Sequence, residues 1–83
     1  MANSSALTII GDFMARSFGR DTVPVDEDIF ESGFTNSLFA MQLVDFVERQ
    51  FGVEIDAEDL QIDNFRTVAR VAALVERKTA RAA

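Results

Sequence analysis

The chain has no cysteine and no histidine among its 83 residues, and its single lysine, Lys78, lies near the C-terminus. Without cysteine, neither a disulfide nor a thiolate metal site can stabilise the fold. Without histidine, the chain lacks the usual general base of enzymes and the commonest metal ligand of proteins. These absences argue against catalysis by the chain itself.

Long hydrophobic runs are also missing. No apolar stretch approaches the roughly 20 residues that a membrane-spanning helix needs, and the opening "MANSSALTII" lacks the charged region of a signal peptide. The length and apolar content suit one small globular domain. We therefore expect a single cytoplasmic, monomeric domain over residues 1–83, ordered from about residue 5 to residue 78, with no membrane contact.

Basic side chains are scarce in the middle of the chain. Residues 21–63 hold twelve acidic residues and one basic residue, for a net charge of −11, whereas residues 66–83 carry +4. An acidic middle repels nucleic acid and favours partners with a basic face. Acidic side chains also simply keep a small protein soluble. We expect no nucleic-acid binding, and the basic last segment has no evident role.

A first helical pattern runs from about Ser5 to Phe18. Ser4 or Ser5 is expected to cap its start, and Gly19 stands where a left-handed residue commonly ends a helix. Apolar side chains recur at helical spacing along one stripe and beside it. They are Leu7, Ile10, Met14 and Phe18, flanked by Ile9 and Phe13.

A second helix is predicted from about Ser37 to Phe51, with Asn36 as its N-cap and Gly52 as its stop. One broad face is apolar, formed by Phe39, Leu43, Val44, Phe46, Val47 and Phe51. Two more apolar residues, Leu38 and Met41, fall among polar side chains near Ser37 instead of on this face.

The loop between these helices contains Pro24 and a cluster of acids, which argue against a helix there. Its four larger apolar side chains are expected to pack onto the core. They are Val23, Val25, Ile29 and Phe30.

A short helical turn is predicted near Ala57–Leu60, opened by Asp56, and a last helix from about Arg66 to Lys78. The apolar stripe of that helix consists of Val68, Val71, Ala72, Leu74 and Val75. The residues after Lys78 are expected to fray. The fold class is therefore all-α, a small bundle of three main helices plus one short helix, with a long first loop.

The sequence motifs support neither catalysis nor metal binding. Ser37 has no histidine or cysteine to activate it and no Gly-x-Ser-x-Gly setting. In the acidic loop, Asp26 and Asp28 are followed by Phe30 where a calcium motif needs its third ligand. A bundle of this size also has little room for a concave site. We expect neither an active site nor a metal site.

Ser37 allows two interpretations. A hydroxyl at the start of a helix stands where an incoming phosphate is favoured. Leu38 and Met41 beside it would form an apolar docking spot, which Asp45 and Glu48 extend with negative charge. Alternatively, Ser37 only helps to start the helix and Leu38 packs into the end of the bundle.

The stretch "GFTNSLFAM" (residues 33–41), with Leu43, Val44, Glu48 and "FGVEI" at matching distances, resembles the acyl carrier protein family. The resemblance covers about residues 5–78. In that family, a serine at the start of the second helix carries 4′-phosphopantetheine. The resemblance implies that a phosphopantetheinyl transferase attaches this arm, from coenzyme A and with magnesium, to Ser37. The expected partner surface consists of Asn36, Leu38, Met41, Asp45 and Glu48.

Two positions depart from the family pattern. Asn36 replaces the aspartate that precedes the serine, and Gly33 lies four residues before Ser37 where many carriers have three. The segment "SLFAMQLV" is similar to free-standing carriers of unusual polyketide extender units, such as methoxymalonyl or hydroxymalonyl groups.

The expected function is thus an acyl carrier of polyketide or fatty-acid biosynthesis that holds its cargo as a thioester. Its partners would be the transferase and acyl-loading and acyl-accepting enzymes, namely synthases, transferases and dehydrogenases. A peptidyl or D-alanyl carrier, or an unmodified helical adaptor, is the alternative.

Overall fold

A computed structural model describes residues 2–33 and 36–82. Its elements are α1 (Ala2–Phe18), α2 (Ser37–Phe51), a 3-10 turn (Ala57–Asp59), α3 (Ile62–Phe65) and α4 (Val68–Ala82). Within those two ranges there is no strand. The prediction of a small all-α bundle with a long first loop is confirmed.

Helix α1 ends as predicted but begins earlier. Gly19 is left-handed with φ of 69°, and the Arg20 N–H donates to the Ala15 carbonyl at 2.9 Å, which satisfies a free carbonyl of the last turn. The prediction that Ser4 or Ser5 caps the helix is wrong, because the helix already begins at Ala2. Neither serine therefore stands at the boundary where a cap is needed.

The core lies where α1 packs against α4, with α2 across one side. Ile10 and Met14 of α1 meet the apolar stripe of α4, and all of these side chains are buried. The five predicted apolar residues of α4 are each at most 3% exposed: Val68, Val71, Ala72, Leu74 and Val75. Two rings of α2 stack against Phe13 of α1. The ring centroid of Phe46 lies 4.1 Å from that of Phe13, and the centroid of Phe39 lies 6.0 Å from it.

Helix α4 begins later and ends later than predicted. The helix begins at Val68, not Arg66, because the Thr67 hydroxyl accepts the N–H of Arg70 at 3.0 Å and so caps the first turn. The prediction that the residues after Lys78 fray is wrong, because the helix continues to Ala82. Ala83 lies outside the described residues.

The first loop is attached to the bundle by its backbone as well as by its side chains. Val23 and Ile29 are buried and Phe30 is half-buried, as expected. The expectation for Val25 is wrong, since its side chain is 46% exposed. Its carbonyl instead accepts the N–H of Ala69 at 2.9 Å, so this residue anchors the loop on the start of α4 through its main chain.

Between α2 and α4 the chain makes two short helical elements. The predicted turn opened by Asp56 is confirmed as Ala57–Asp59, where Asp56 and Asp59 each accept the other's backbone N–H in a capping box. The four-residue helix α3 was not predicted. A single turn is too short to show helical periodicity, so no sequence pattern marks it.

Candidate functional site

Ser37 is the first residue of α2, and its side chain is exposed. Asn36 precedes it in extended backbone conformation and accepts the N–H of Phe39 on Oδ1 at 2.9 Å. The prediction of Asn36 as N-cap and Ser37 as first helical residue is confirmed. The hydroxyl therefore stands at the partially positive end of a 15-residue helix, beside backbone N–H groups that have no partner within the helix.

The loop before Ser37 is ordered by acidic side chains that are satisfied internally. Asp28 Oδ1 accepts the N–H groups of Phe30 and Glu31, both at 3.0 Å. Glu27 forms a two-fold hydrogen bond with Arg20, at 2.6 and 2.8 Å. Gly33 follows with φ of 78°, a conformation that glycine adopts without strain. Residues 34 and 35 lie outside the described part of the chain.

These contacts also shift the ionisation of the loop acids. Burial alone would raise the pKa of Asp28, but the backbone N–H of Glu31 and the guanidinium of Arg66 outweigh it and hold that pKa below its ordinary value. The hydrogen bond from Arg20 likewise lowers the pKa of Glu27. Both carboxylates therefore stay charged at neutral pH, where they hold the loop and are not poised for proton transfer.

The apolar half of the expected partner surface is open to solvent. Leu38 is 68% exposed and Met41 is 65% exposed. The alternative in which Leu38 packs into the end of the bundle is therefore wrong. An exposed leucine and methionine one helical turn apart beside Ser37 give the start of α2 an apolar contact surface.

The acidic half of that surface is partly engaged within the protein. Asp45 is exposed and pairs with Arg49 at 3.1 Å. Glu48 is half-buried, and its Oε2 accepts the N–H of Ile55 at 2.9 Å, so it holds the segment after α2 in place. Asp45 is therefore the more accessible of the two carboxylates for a partner.

An apolar cleft of about 520 Å³ opens beside Ser37. Ala40, Met41 and Val44 line its α2 side. Leu60, Ile62 and Phe65 line the side formed by α3 and the residues before it, and Phe30 of the first loop also lines the cleft. The expectation that so small a bundle lacks room for a concave site is wrong, because the unpredicted α3 stands off from α2 and forms a second wall.

Leu60 and Ile62 are the site residues that sequence reasoning missed. They are 53% and 56% exposed, although each is a large apolar side chain. The available signal was their isolation, since they lie among acids in "AEDLQID" and belong to no apolar stripe. Apolar residues that neither enter the core nor follow a period are candidates for a binding surface.

The basic last helix, which had no predicted role, holds the far side of the cleft. Lys78 is only 8% exposed, and its Nζ contacts the carboxylates of Asp56 and Asp59, with the Asp56 distance 2.9 Å. Hydrogen bonds to Asp59 and Asp56 raise the pKa of Lys78. The ammonium thereby ties the 3-10 turn, which leads into Leu60, to α4.

In the part of the chain that the structure covers, no helix is both long enough and apolar enough to cross a membrane. Over the same residues, no group of three or more acidic side chains is arranged to hold a metal ion. In the acidic first loop, the Asp28 carboxylate accepts hydrogen bonds from the backbone and from Arg66.

A helical bundle with an exposed serine capped into the start of its second helix, beside an apolar cleft, is the arrangement of a carrier domain. Residues 9–75 match the family described as "Phosphopantetheine attachment site", and the chain belongs to that family. Its members are non-catalytic carriers, to which 4′-phosphopantetheine is attached covalently through a serine. They interact with phosphopantetheinyl transferases and with biosynthetic enzymes. A comparison with curated proteins finds no match to this chain.

Proposed function

We propose that Ser37 carries the phosphopantetheine arm and that the chain shuttles an acyl group, held as a thioester on that arm, between biosynthetic enzymes. The observation that carries the proposal is the position of Ser37, exposed at the first turn of α2 with Asn36 as cap. In the attachment reaction, Ser37 Oγ loses its proton and forms a phosphodiester bond with the pantetheine phosphate of coenzyme A. The phosphoanhydride bond breaks, and 3′,5′-adenosine bisphosphate leaves.

The residues around Ser37 suit a phosphodiester. The end of α2 favours a negative charge close to its first N–H groups. Asn36 supplies the cap, because its Oδ1 accepts the N–H of Phe39. The arm itself supplies a thiol, and a thioester on it is reactive toward nucleophiles while the tether raises the local concentration of the cargo at each partner.

For the cargo, we propose an acyl group of polyketide or fatty-acid biosynthesis. The apolar lining of the cleft beside Ser37 favours an alkyl chain. An extender unit such as methoxymalonyl or hydroxymalonyl, which the sequence resemblance favours, would keep its carboxylate in solvent because burial of an unpaired charge is costly. An alkyl cargo should therefore be sheltered by the cleft and an extender unit should not. A comparison of how far each loaded acyl group is protected from solvent separates these two cargo hypotheses.

For the partner surface, we propose the face formed by Asn36, Leu38, Met41, Asp45 and Glu48, of which all but Glu48 are exposed. The exposure of Leu38 and Met41 supports an apolar centre for this surface. The contacts of Asp45 with Arg49 and of Glu48 with Ile55 support only a modest electrostatic contribution. Such a surface suits brief contacts with the transferase and with successive enzymes that load, accept or modify the acyl group.

The test is intact-mass analysis after incubation with coenzyme A, magnesium and a broad-specificity phosphopantetheinyl transferase. The wild type should gain the mass of a single phosphopantetheine, and Ser37→Ala should gain nothing. Ser17→Ala is the matched control, since Ser17 is an exposed serine on α1, and it should be modified like the wild type. Asn36→Asp is included because it restores the family's residue. If neither it nor the folded wild type is modified, the proposal is wrong and the adaptor alternative gains support.

A further inference from the structure

Arg66 connects α3, which lines the cleft beside Ser37, to the first loop, which carries the lining residue Phe30. It directly follows α3, whose residues form one wall, and its Nη1 donates to Asp28 Oδ2 of the first loop at 2.8 Å. Its carbonyl also accepts the N–H of Ile29 at 2.9 Å. A single residue thus binds the first loop through both its side chain and its main chain.

Asp28 connects Arg66 to Phe30, a residue that lines the cleft. While Oδ2 accepts from Arg66, Oδ1 accepts the N–H groups of Phe30 and Glu31. The Phe30 side chain lines the cleft. The position of Phe30 relative to α3 is therefore coupled, through one carboxylate, to the guanidinium of Arg66.

The α3 wall is also held by Asn64, whose Nδ2 donates to the Asp59 carbonyl at 2.9 Å and whose Oδ1 accepts from Arg77 at 3.3 Å. Ile62 is more than half exposed, and Phe65 is the only buried residue of α3. Asp63 lies 3.2 Å from Arg66 Nε, but Nε makes no well-directed hydrogen bond there. Asp28 is therefore the stronger partner of Arg66, and the pair of them is a polar link between α3 and the first loop.

We propose that Arg66 is a positioning residue that sets the spacing between α3 and Phe30, and that this spacing determines how well an alkyl cargo is sheltered from solvent. The inference rests on the proposed function, since it needs an acyl group on an arm at Ser37. Arg66 touches no reacting atom; it acts through Asp28 and the walls of the cleft. Loss of the link leaves the attachment of the arm unchanged and exposes the thioester.

The experiment loads the arm with either an octanoyl or an acetyl group and measures cleavage of each thioester by hydroxylamine, which forms the hydroxamate and frees the thiol. Each rate is divided by that of the same acyl group on free pantetheine. Arg66→Gln and Asp28→Asn each remove the ion pair and leave the bond from the Ile29 N–H to the Arg66 carbonyl in place. Arg70→Gln is the control, because Arg70 is an exposed arginine close by at the start of α4.

In the wild type, the octanoyl group should be cleaved more slowly than the acetyl group on this relative scale. Arg66→Gln and Asp28→Asn should each raise the octanoyl rate about two- to fivefold, as loss of one part-exposed ion pair permits. The acetyl rates of Arg66→Gln and Asp28→Asn should stay at the wild-type value. Arg70→Gln should match the wild type for both acyl groups. The double variant should be no faster than either single variant, because the two residues act as one link.

Two results would overturn the inference. One is an octanoyl rate in both link variants equal to that of Arg70→Gln. The other is an equal rise for octanoyl and acetyl, since a general loosening of the fold would expose both. Failure to attach the arm to the wild type is seen before any hydroxylamine is added; it refutes the proposed function, and this inference falls with it.

Discussion

The ammonium of Lys78 lies 2.9 Å from Asp56 Oδ2 and also contacts the carboxylate of Asp59, in a position where only 8% of the residue is exposed. This cluster fastens the 3-10 turn to α4 and so supports the wall of the cleft that carries Leu60. It also explains a cation inside an otherwise apolar helix face, because a buried charge requires close partners.

Replacement of Lys78 by methionine should destabilise the protein, because two carboxylates lose their cation. The pKa of Lys78 is raised in the folded state, so its contribution to the free energy of unfolding is full below its unfolded pKa. That contribution should fade as the pH rises above about 10.5. Urea unfolding from pH 8 to 11 should therefore show the wild type and Lys78→Met converging at high pH.

Arg77→Met is the matched control for this series, since Arg77 is the exposed neighbour on the same helix. It should remain near the wild-type midpoint at pH 8. A Lys78→Met midpoint as high as that of Arg77→Met would show that the cluster contributes nothing to stability.

Asp28 should contribute to the loss of folding stability at acidic pH. Its pKa is lowered in the folded state, so its contribution is present above the unfolded pKa, whose ordinary value is 3.8, and is lost as the pH falls through the lower folded value. Acid titration followed by circular dichroism should show Asp28→Asn less stable than the wild type at pH 7 and the two alike well below pH 3.8. Asp26→Asn, an exposed acid two residues away, should follow the wild type throughout.

The cap of α2 should be measurable apart from any chemistry at Ser37. Asn36→Ala removes the acceptor for the Phe39 N–H and should lower the free energy of unfolding by about 1 kcal/mol. Asn36→Asp keeps an acceptor and should stay near the wild type. Gln42→Ala, at an exposed position on the same helix, is the control for the effect of an alanine substitution that removes no cap. Equal urea midpoints for Asn36→Ala and Gln42→Ala would contradict the capping role.

The exposed leucine beside Ser37 should matter to partners and not to the fold. Leu38→Gln should lower kcat/KM for transfer of the arm by the transferase by about tenfold, as expected for an apolar residue at the centre of an interface. Val25→Gln changes another exposed apolar residue, outside this face, and should have little effect. If the two variants were equally active and equally stable, the partner surface would have to lie elsewhere.

The helices that begin and end with clear signals could be predicted from the sequence. Asn36 and Gly52 set the bounds of α2 because an amide cap and a left-handed glycine act locally, and the structure has them where predicted. The same local logic failed at α1, where helix continues through the serines expected to cap it. The start of α4 was predicted too early, since Arg66 itself is a good helix former and only the cap by Thr67 shows the boundary.

The cleft could not be predicted, because it depends on where α3 lies relative to α2. Four residues carry no period, and the isolation of Leu60 and Ile62 among acids marks them as surface candidates without showing which element they face. The roles of Arg66 and Lys78 have the same origin. Their partners Asp28 and Asp56 are 38 and 22 residues away in the sequence, so no local pattern pairs them.

The most direct test of the central claim is to locate the arm on the chain after modification by the transferase. Tryptic cleavage after Arg20 and Arg49 leaves residues 21–49 as one peptide, which contains both Ser32 and Ser37. Tandem mass spectrometry should place phosphopantetheine on Ser37, with fragments that end before residue 37 unmodified. Phosphopantetheine on Ser32 or on any peptide outside 21–49 would contradict the account.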